Sequence, residues 1–147
     1  MSVFAKAIKL LYPYVFKILH FRRFRAKYCR FGPSQLFLGK NSYIAEGSII
    51  KIANHGKVII GNDCYIGEFA NIRCDKKIEI RDRVHIGQFV TIVDADYSLG
   101  STLSFKNRNI SQVIIGDDTF IGSNSCILRG TNIKPKSAIP ALSKITR

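Results

Sequence analysis

The sequence predicts an all-β chain: a parallel β-helix of about five coils, preceded by an amphipathic α-helix. Three observations carry this. An isoleucine returns at every sixth position through Ile115, Ile121, Ile127, Ile133, Ile139 and Ile145. A small side chain stands four residues after each of the first five, at Thr119, Ser125, Thr131, Ser137 and Ser143. The N-terminal stretch combines a broad apolar face with a run of lysine and arginine. A helix repeats its apolar positions every 3.6 residues and a half-buried strand every second residue, so a period of six fits neither. It fits hexapeptide units, each forming one side of a coil and burying its aliphatic residue against the coils above and below.

From Ser2 to about Lys27 the residues Val3, Phe4, Ala7, Ile8, Leu10, Leu11, Tyr14, Val15, Ile18 and Leu19 form one face of a helix, and lysines another. Pro13 is expected to kink it. Three lysines and a proline within the apolar stretch argue against a spanning segment, which needs about twenty largely uncharged residues. The expectation is a basic helix in the headgroup plane of an anionic membrane. The alternative is a helix whose apolar face packs on a neighbouring subunit. The cluster from His20 to Arg30, interleaved with Phe21, Phe24, Tyr28 and Phe31, has a nucleic-acid-binding composition but no recognised motif, and no nucleic-acid partner is expected. Gly32 and Pro33 break the pattern. The expected division is therefore a basic helical segment over 1–33 and a β-helix over 34–147.

The hexad runs upstream through Ile60, Ile66, Ile72 and Ile80, Ile86, Ile92, with Cys64, Ala70, Val84 and Val90 at plus four, and Ile44 with Ser48 at its start. Three hexads make one triangular coil, with a two-residue slip near Lys77 to Ile80 and a small turn at Ala53 to Gly56 that holds His55. Gly61, Gly67, Gly87, Gly116 and Gly122 follow their isoleucines, where a turning backbone is expected to benefit from lacking a Cβ. After Ile92 the beat stops until Ile115, and the polar segment 93–112 is expected to leave the coil as a loop rooted at Asp94, Asp96 and Tyr97. Long loops on a rigid scaffold are favoured places for chemistry.

The chain of 147 residues suits one solenoid, and its net charge of +13 is concentrated at the front, where no acidic residue precedes Glu46. That asymmetry points to an anionic partner or surface. The four cysteines, Cys29, Cys64, Cys74 and Cys126, lack zinc or redox spacing, and Cys64 reads as a core thiol. Free thiols without a cleavable signal suggest a reducing, cytoplasmic setting at the inner face of the membrane.

The repeat resembles that of the hexapeptide-repeat acyltransferases, and the run Val113 to Gly130, VIIGDDTFIGSNSCILRG, looks like the stretch these enzymes carry after their active-site loop. The resemblance covers the chain from near Ile44 to its end. It implies a left-handed coil, a homotrimer with sites between subunits, and acetyl-CoA as cosubstrate. It also implies a catalytic histidine at the loop root, where this chain has Asp94, Ala95, Asp96, Tyr97 and Ser98. No histidine stands there. Tyrosine, with an ordinary pKa near 10, is a poor base at pH 7 unless a cation lowers it. The candidate catalytic residues are therefore Asp94, Asp96, Tyr97 and, reaching across from a neighbouring subunit, His85. Asp94 and Asp96 read equally well as turn residues bonding their own backbone, and His85 reads also as a solvated or interface side chain.

For the acyl carrier the resemblance implies the groove beside Phe120, Gly122, Ser123, Arg129 and Gly130, where backbone amides meet the pantetheine arm, with Lys134 and Lys136 for the phosphates. Family members carry a further C-terminal tail over the last coil. This sequence ends at Arg147, so an exposed last coil is expected. No metal is expected: a zinc-dependent β-helix needs more histidines than His20, His55 and His85 supply. The reading is an acetyltransferase acting on a sugar hydroxyl in surface polysaccharide or lipid-linked oligosaccharide synthesis. The alternative is a catalytically silent structural or interaction subunit.

Overall fold

The computed structural model describes residues 27–30, 34–99 and 103–147. The helix expected near the N-terminus lies outside them. Among the described residues the chain winds as a parallel β-solenoid of about five turns whose three sheets form the sides of a triangular prism. The first face holds Tyr43–Ile44, Tyr65–Ile66, His85–Ile86, Phe120–Ile121 and Ala138–Ile139. The second holds Lys27–Arg30, Ile49–Ile52, Asn71–Cys74, Thr91–Val93, Cys126–Ile127 and Lys144–Ile145. The third holds Gln35–Leu38, Lys57–Ile60, Lys77–Ile80, Val113–Ile115 and Asn132–Ile133. The solenoid thus starts by Lys27, earlier than the expected boundary at 34, because Lys27–Arg30 pairs in parallel with Ile49–Ile52.

The period of six appears as columns of apolar residues. Ile44, Ile66, Ile86, Ile121 and Ile139 are register partners on the first face. Ile50, Ile72, Ile92, Ile127 and Ile145 stack on the second. Leu38, Ile60, Ile80, Ile115 and Ile133 stack on the third. The isoleucines from Ile44 to Ile127 in these columns are 0–1% exposed, and each such burial contributes roughly 1.5–3 kcal/mol. The small plus-four residues also point inward. In the first coils their hydroxyls are satisfied by the next coil, Ser42 Oγ donating to the Gly61 carbonyl at 2.6 Å and Ser48 Oγ to that of Gly67 at 2.9 Å, whereas Ser137 and Ser143 donate within their own turn, to the Lys134 and Pro140 carbonyls at 2.7 Å.

The two-residue slip is absorbed by lengthening the sides. In Asn71–Cys74 and Lys77–Ile80 two residues of each strand are buried, Ile72 with Cys74 and Ile78 with Ile80.

The turn role expected of the glycines that follow the isoleucines is not what the structure uses. The left-handed conformation falls three residues after the column residue, on Asp63 (φ 54), Phe69 (57), Arg83 (55), Phe89 (57), Asp118 (56), Asn124 (60), Lys136 (60) and Leu142 (61). The glycine directly after the isoleucine instead allows close approach between coils. A Cβ on Gly87 would stand 2.7 Å from Ser123 N, and one on Gly122 2.4 Å from Ala141 N.

The segment 93–112, expected as a loop, is an antiparallel ribbon of Ala95–Leu99 and Leu103–Ile110. It leaves at the corner between the second and third faces and returns there.

Candidate active site at the root of the ribbon

Three contacts fasten the ribbon to the prism. Asp94 is fully buried, and its carboxylate accepts the amides of Asp75 and Lys76 at 2.7 Å and of Lys77 at 2.8 Å. These amides belong to the preceding coil, so Asp94 holds a neighbour's turn rather than its own. Arg108, on the returning strand, donates to Asp75 Oδ1 at 2.7 Å. Asp96 Oδ2 lies 2.5 Å from Arg129 Nε, an ion pair whose N–H is not aligned as a hydrogen bond. The backbone closes the corner: Ser111 N donates to the Asp94 carbonyl at 2.9 Å, and Gly130 N to that of Ser111 at 3.1 Å.

Of the candidate catalytic residues, Asp94 is withdrawn from solvent and its carboxylate is occupied by three amide donors of the corner. Asp96 is half-buried against Arg129. Tyr97 is 44% exposed at the ribbon root. His85 stands on the first face, a different side of the prism. Its ring is stacked 4.7 Å from Tyr65 and tilted 5.6 Å from Phe120. Within one subunit the structure therefore joins Asp94, Asp96 and Tyr97 at one corner and leaves His85 on another side.

The carrier-binding candidates are also dispersed. Phe120 belongs to the ring column with His85; Gly122 and Ser123 form the corner after the first face; Arg129 and Gly130 lie at the ribbon root. Lys134 and Lys136 occupy the corner after the third face, where Lys136 N donates to the Asp117 carbonyl at 2.8 Å. The amides expected to meet a pantetheine arm are used by the ladder. Phe120 N donates to the Ser137 carbonyl at 2.9 Å and Gly122 N to that of Ile139 at 2.8 Å. A cavity of about 460 Å³ at the C-terminal mouth of the prism does bring Gly130 and Lys134 to one rim, over a floor of Ile133, Ile139 and Ile145.

Sequence reasoning missed Asp75, Arg108 and Ser111 as parts of this corner. Their signal is weak, since each acquires its role from a residue in another coil. The thiol next to the corner is inert: Cys74 is pushed up to about 12 by burial and, secondarily, by the Asp94 carboxylate.

Comparison with known proteins agrees with this architecture. Residues 112–141 match the family described as the hexapeptide repeat of succinyl-transferase. The Bifunctional protein GlmU of Nitrosospira multiformis is 31% identical over 131 residues, covering 73% of this chain and 27% of that protein. The chain belongs to the hexapeptide-repeat acyltransferase family. The matched region contains every residue that the resemblance assigned to the carrier, from Phe120 to Lys136.

Another hexapeptide-repeat relative, GlmU of a Geobacillus species, is 28% identical over 142 residues, covering 80% of this chain and 30% of its own. The chain thus spans less than a third of the length of these curated relatives. Among solved structures, AntD, an N-acyltransferase from Bacillus cereus in complex with dTDP and 3-hydroxybutyryl-CoA, superposes with a TM-score of 0.68. It is 19% identical, and the match covers 89% of this chain and 77% of AntD. A point mutant of AntD with dTDP and coenzyme A superposes equally well, at 21% identity, with 88% and 78% covered. At such identity the likeness is one of fold. Among the described residues no helix of this family member is long and apolar enough to cross a membrane.

Proposed function

We propose that this protein is an acyl-CoA-dependent transferase that moves an acetyl group from acetyl-CoA to a sugar hydroxyl, in surface polysaccharide or lipid-linked oligosaccharide synthesis. The observation that carries the reading is the ribbon root, where Asp96 and Arg129 clamp an excursion with exposed Tyr97 onto the family-matched coils. The AntD complexes with coenzyme A, acyl-CoA and dTDP support an acyl-CoA donor and a sugar-nucleotide class of acceptor.

The reaction needs a base for the acceptor hydroxyl, donors for the tetrahedral oxyanion, and departure of coenzyme A as a thiol. As the hydroxyl oxygen bonds to the thioester carbon, its proton passes to the base, the C–S bond breaks and the sulfur takes a proton. No histidine stands at the described ribbon root, so the base comes from elsewhere. In the proposed left-handed homotrimer, subunits pack through the aromatic first face, and His85 of the partner subunit meets the ribbon carrying Tyr97. The Tyr65 and Phe120 rings on either side of His85 would hold its imidazole in one orientation. Lys134 and Lys136 take the phosphates of the carrier. The basic, acid-free sequence before Lys27 keeps the protein against the inner face of the cytoplasmic membrane.

A second reading, a catalytically silent structural subunit, is favoured by the engagement of Asp94 and Asp96 in structural contacts. Calorimetric titration with acetyl-CoA, followed by assay of coenzyme A release with a panel of sugars, separates the two. Binding with turnover that falls about 100-fold or more in His85→Ala supports the enzyme. No binding at millimolar acetyl-CoA leaves the silent scaffold.

A further inference from the structure

The three outer faces of the prism differ in chemistry. The first presents a column of rings, Tyr43, Tyr65, His85 and Phe120, with successive centroids 5.8, 4.7 and 5.6 Å apart. On the third, Lys77 and Arg81 lie 2.6 Å and 3.2 Å from the two oxygens of Glu79, and Lys57 stands over the Phe37 ring at 5.0 Å. The second is different. Its outward positions carry exposed Lys51, Arg73 and Lys144 and no aspartate or glutamate.

Lys51 and Arg73 are direct register partners on neighbouring strands, about 5 Å apart along the ladder. Like charges placed opposite each other are destabilising, and among the described residues neither has an acidic partner. An external anion would remove that cost. The edge between the first and second faces is lined by Phe69, Phe89 and Leu142, which are 56%, 52% and 81% exposed. All three hold the left-handed conformation, with φ of 57, 57 and 61, so bulky apolar side chains stand in water at positions that also strain the backbone. The acidic residues of that edge are Glu46 and Glu68, and Glu68 is turned toward the first face, where it accepts the Tyr65 hydroxyl at 3.3 Å. Finally, the strand Lys27–Arg30, which continues the acid-free N-terminal sequence, is laid on this same face.

From this arrangement we infer that the second face of the prism is a docking surface for an anionic lipid bilayer, with Lys51, Arg73 and Lys144 at the phosphates and Phe69, Phe89 and Leu142 at the acyl boundary. The adjacent Lys51 and Arg73 beside the stacked, exposed Phe69 and Phe89, with Lys144 and Leu142 further along the same face and edge, match the headgroup and hydrocarbon layers of a bilayer. A polyanionic glycan would use the cations and leave the apolar row without a partner. The inference depends neither on acyl transfer nor on the helix expected from the N-terminal sequence.

The test is partitioning of the full chain onto vesicles of phosphatidylcholine with and without phosphatidylglycerol, for the parent, K51Q/R73Q, F69S/F89S and a charge-matched control, K40Q/K57Q, on the third face and its corner. Circular dichroism melts confirm that each variant is folded. At about 1 kcal/mol for each cation near an anionic surface, K51Q/R73Q loses about 30-fold in partitioning onto the anionic vesicles, and the control loses less than about threefold. F69S/F89S is expected to weaken binding without altering its salt dependence. Equal losses in the control would reduce the effect to net charge, and unchanged binding of K51Q/R73Q would assign any membrane contact to the N-terminal segment alone. Either result overturns the inference. So would binding of heparin that depends on Lys51 and Arg73 while vesicle binding does not, or a changed oligomeric state of K51Q/R73Q by light scattering.

Discussion

The Asp94 carboxylate accepts the Lys77 amide at 2.8 Å, a contact between residues 17 apart in sequence, and does so together with the amides of Asp75 and Lys76. One buried side chain thereby closes the turn of one coil and begins the ribbon of the next. Asp94→Ala leaves three amides without that acceptor, and hydrogen bonds to charged groups contribute about 1.5–3 kcal/mol each, not additively. A loss of about 3–5 kcal/mol is expected in urea denaturation. A loss below 1 kcal/mol would show that water replaces the carboxylate, and would reopen a chemical role for it.

Alkaline pH is expected to destabilise the fold through Cys74. Its thiol is pushed up to about 12 in the folded chain, from an ordinary 9.0, by burial first and Asp94 second. Above about pH 9 the unfolded chain releases this proton while the folded chain keeps it. The contribution is therefore complete below pH 9 and declines as pH rises, by about 1.4 kcal/mol per pH unit. Denaturation of the parent and Cys74→Ala between pH 8 and 11 checks this: the variant has the shallower slope. Parallel slopes would contradict it.

Leu142 is 81% exposed at φ 61, a conformation that asparagine tolerates and leucine resists. Leu142→Asn should raise stability by about 0.5–1 kcal/mol. The converse holds for Gly87, where an added Cβ would stand 2.7 Å from Ser123 N and Oγ. Gly87→Ala is expected to cost about 1–3 kcal/mol through overpacking. Thermal melts of the two variants should shift in opposite directions.

Ile121 is 0% exposed in the middle of its column. Ile121→Asp places an unpaired charge there and should abolish the folded state, read as loss of the cooperative melt. A folded variant would contradict the inward assignment.

The Asp96–Arg129 contact joins a 46% exposed carboxylate to a 21% exposed guanidinium. Solvent screening limits such a pair, and a double-mutant cycle with Asp96→Asn and Arg129→Gln should give a coupling of on the order of 1 kcal/mol or less. Deletion tests of the N-terminus should stop at residue 26, because removing Lys27–Arg30 also strips a strand from the second face.

The solenoid was legible in the sequence because each side of a coil is a local unit. Burial of one residue in six repeats along the chain, and the columns from Ile44 to Ile139 are that repeat made spatial. The interruption after Ile92 was legible for the same reason, although hydrogen bonding between Ala95–Leu99 and Leu103–Ile110 made a ribbon of what the polar composition suggested was a loop. The corner chemistry was not legible. Asp94 meets Asp75 across 19 positions, and Asp96 meets Arg129 across the whole ribbon, because stacking brings residues together by coil rather than by neighbourhood. The role of the glycines was misread on the same ground. A sequence shows that Gly87 follows an isoleucine, while only the stacked coils show that Ser123 leaves no room for a Cβ there. His85 likewise took its place in a column of rings from the coils on either side. Periodic burial is a property of single units and can be read along the chain; every contact that shapes the candidate site joins different coils, and only the tertiary structure decides it.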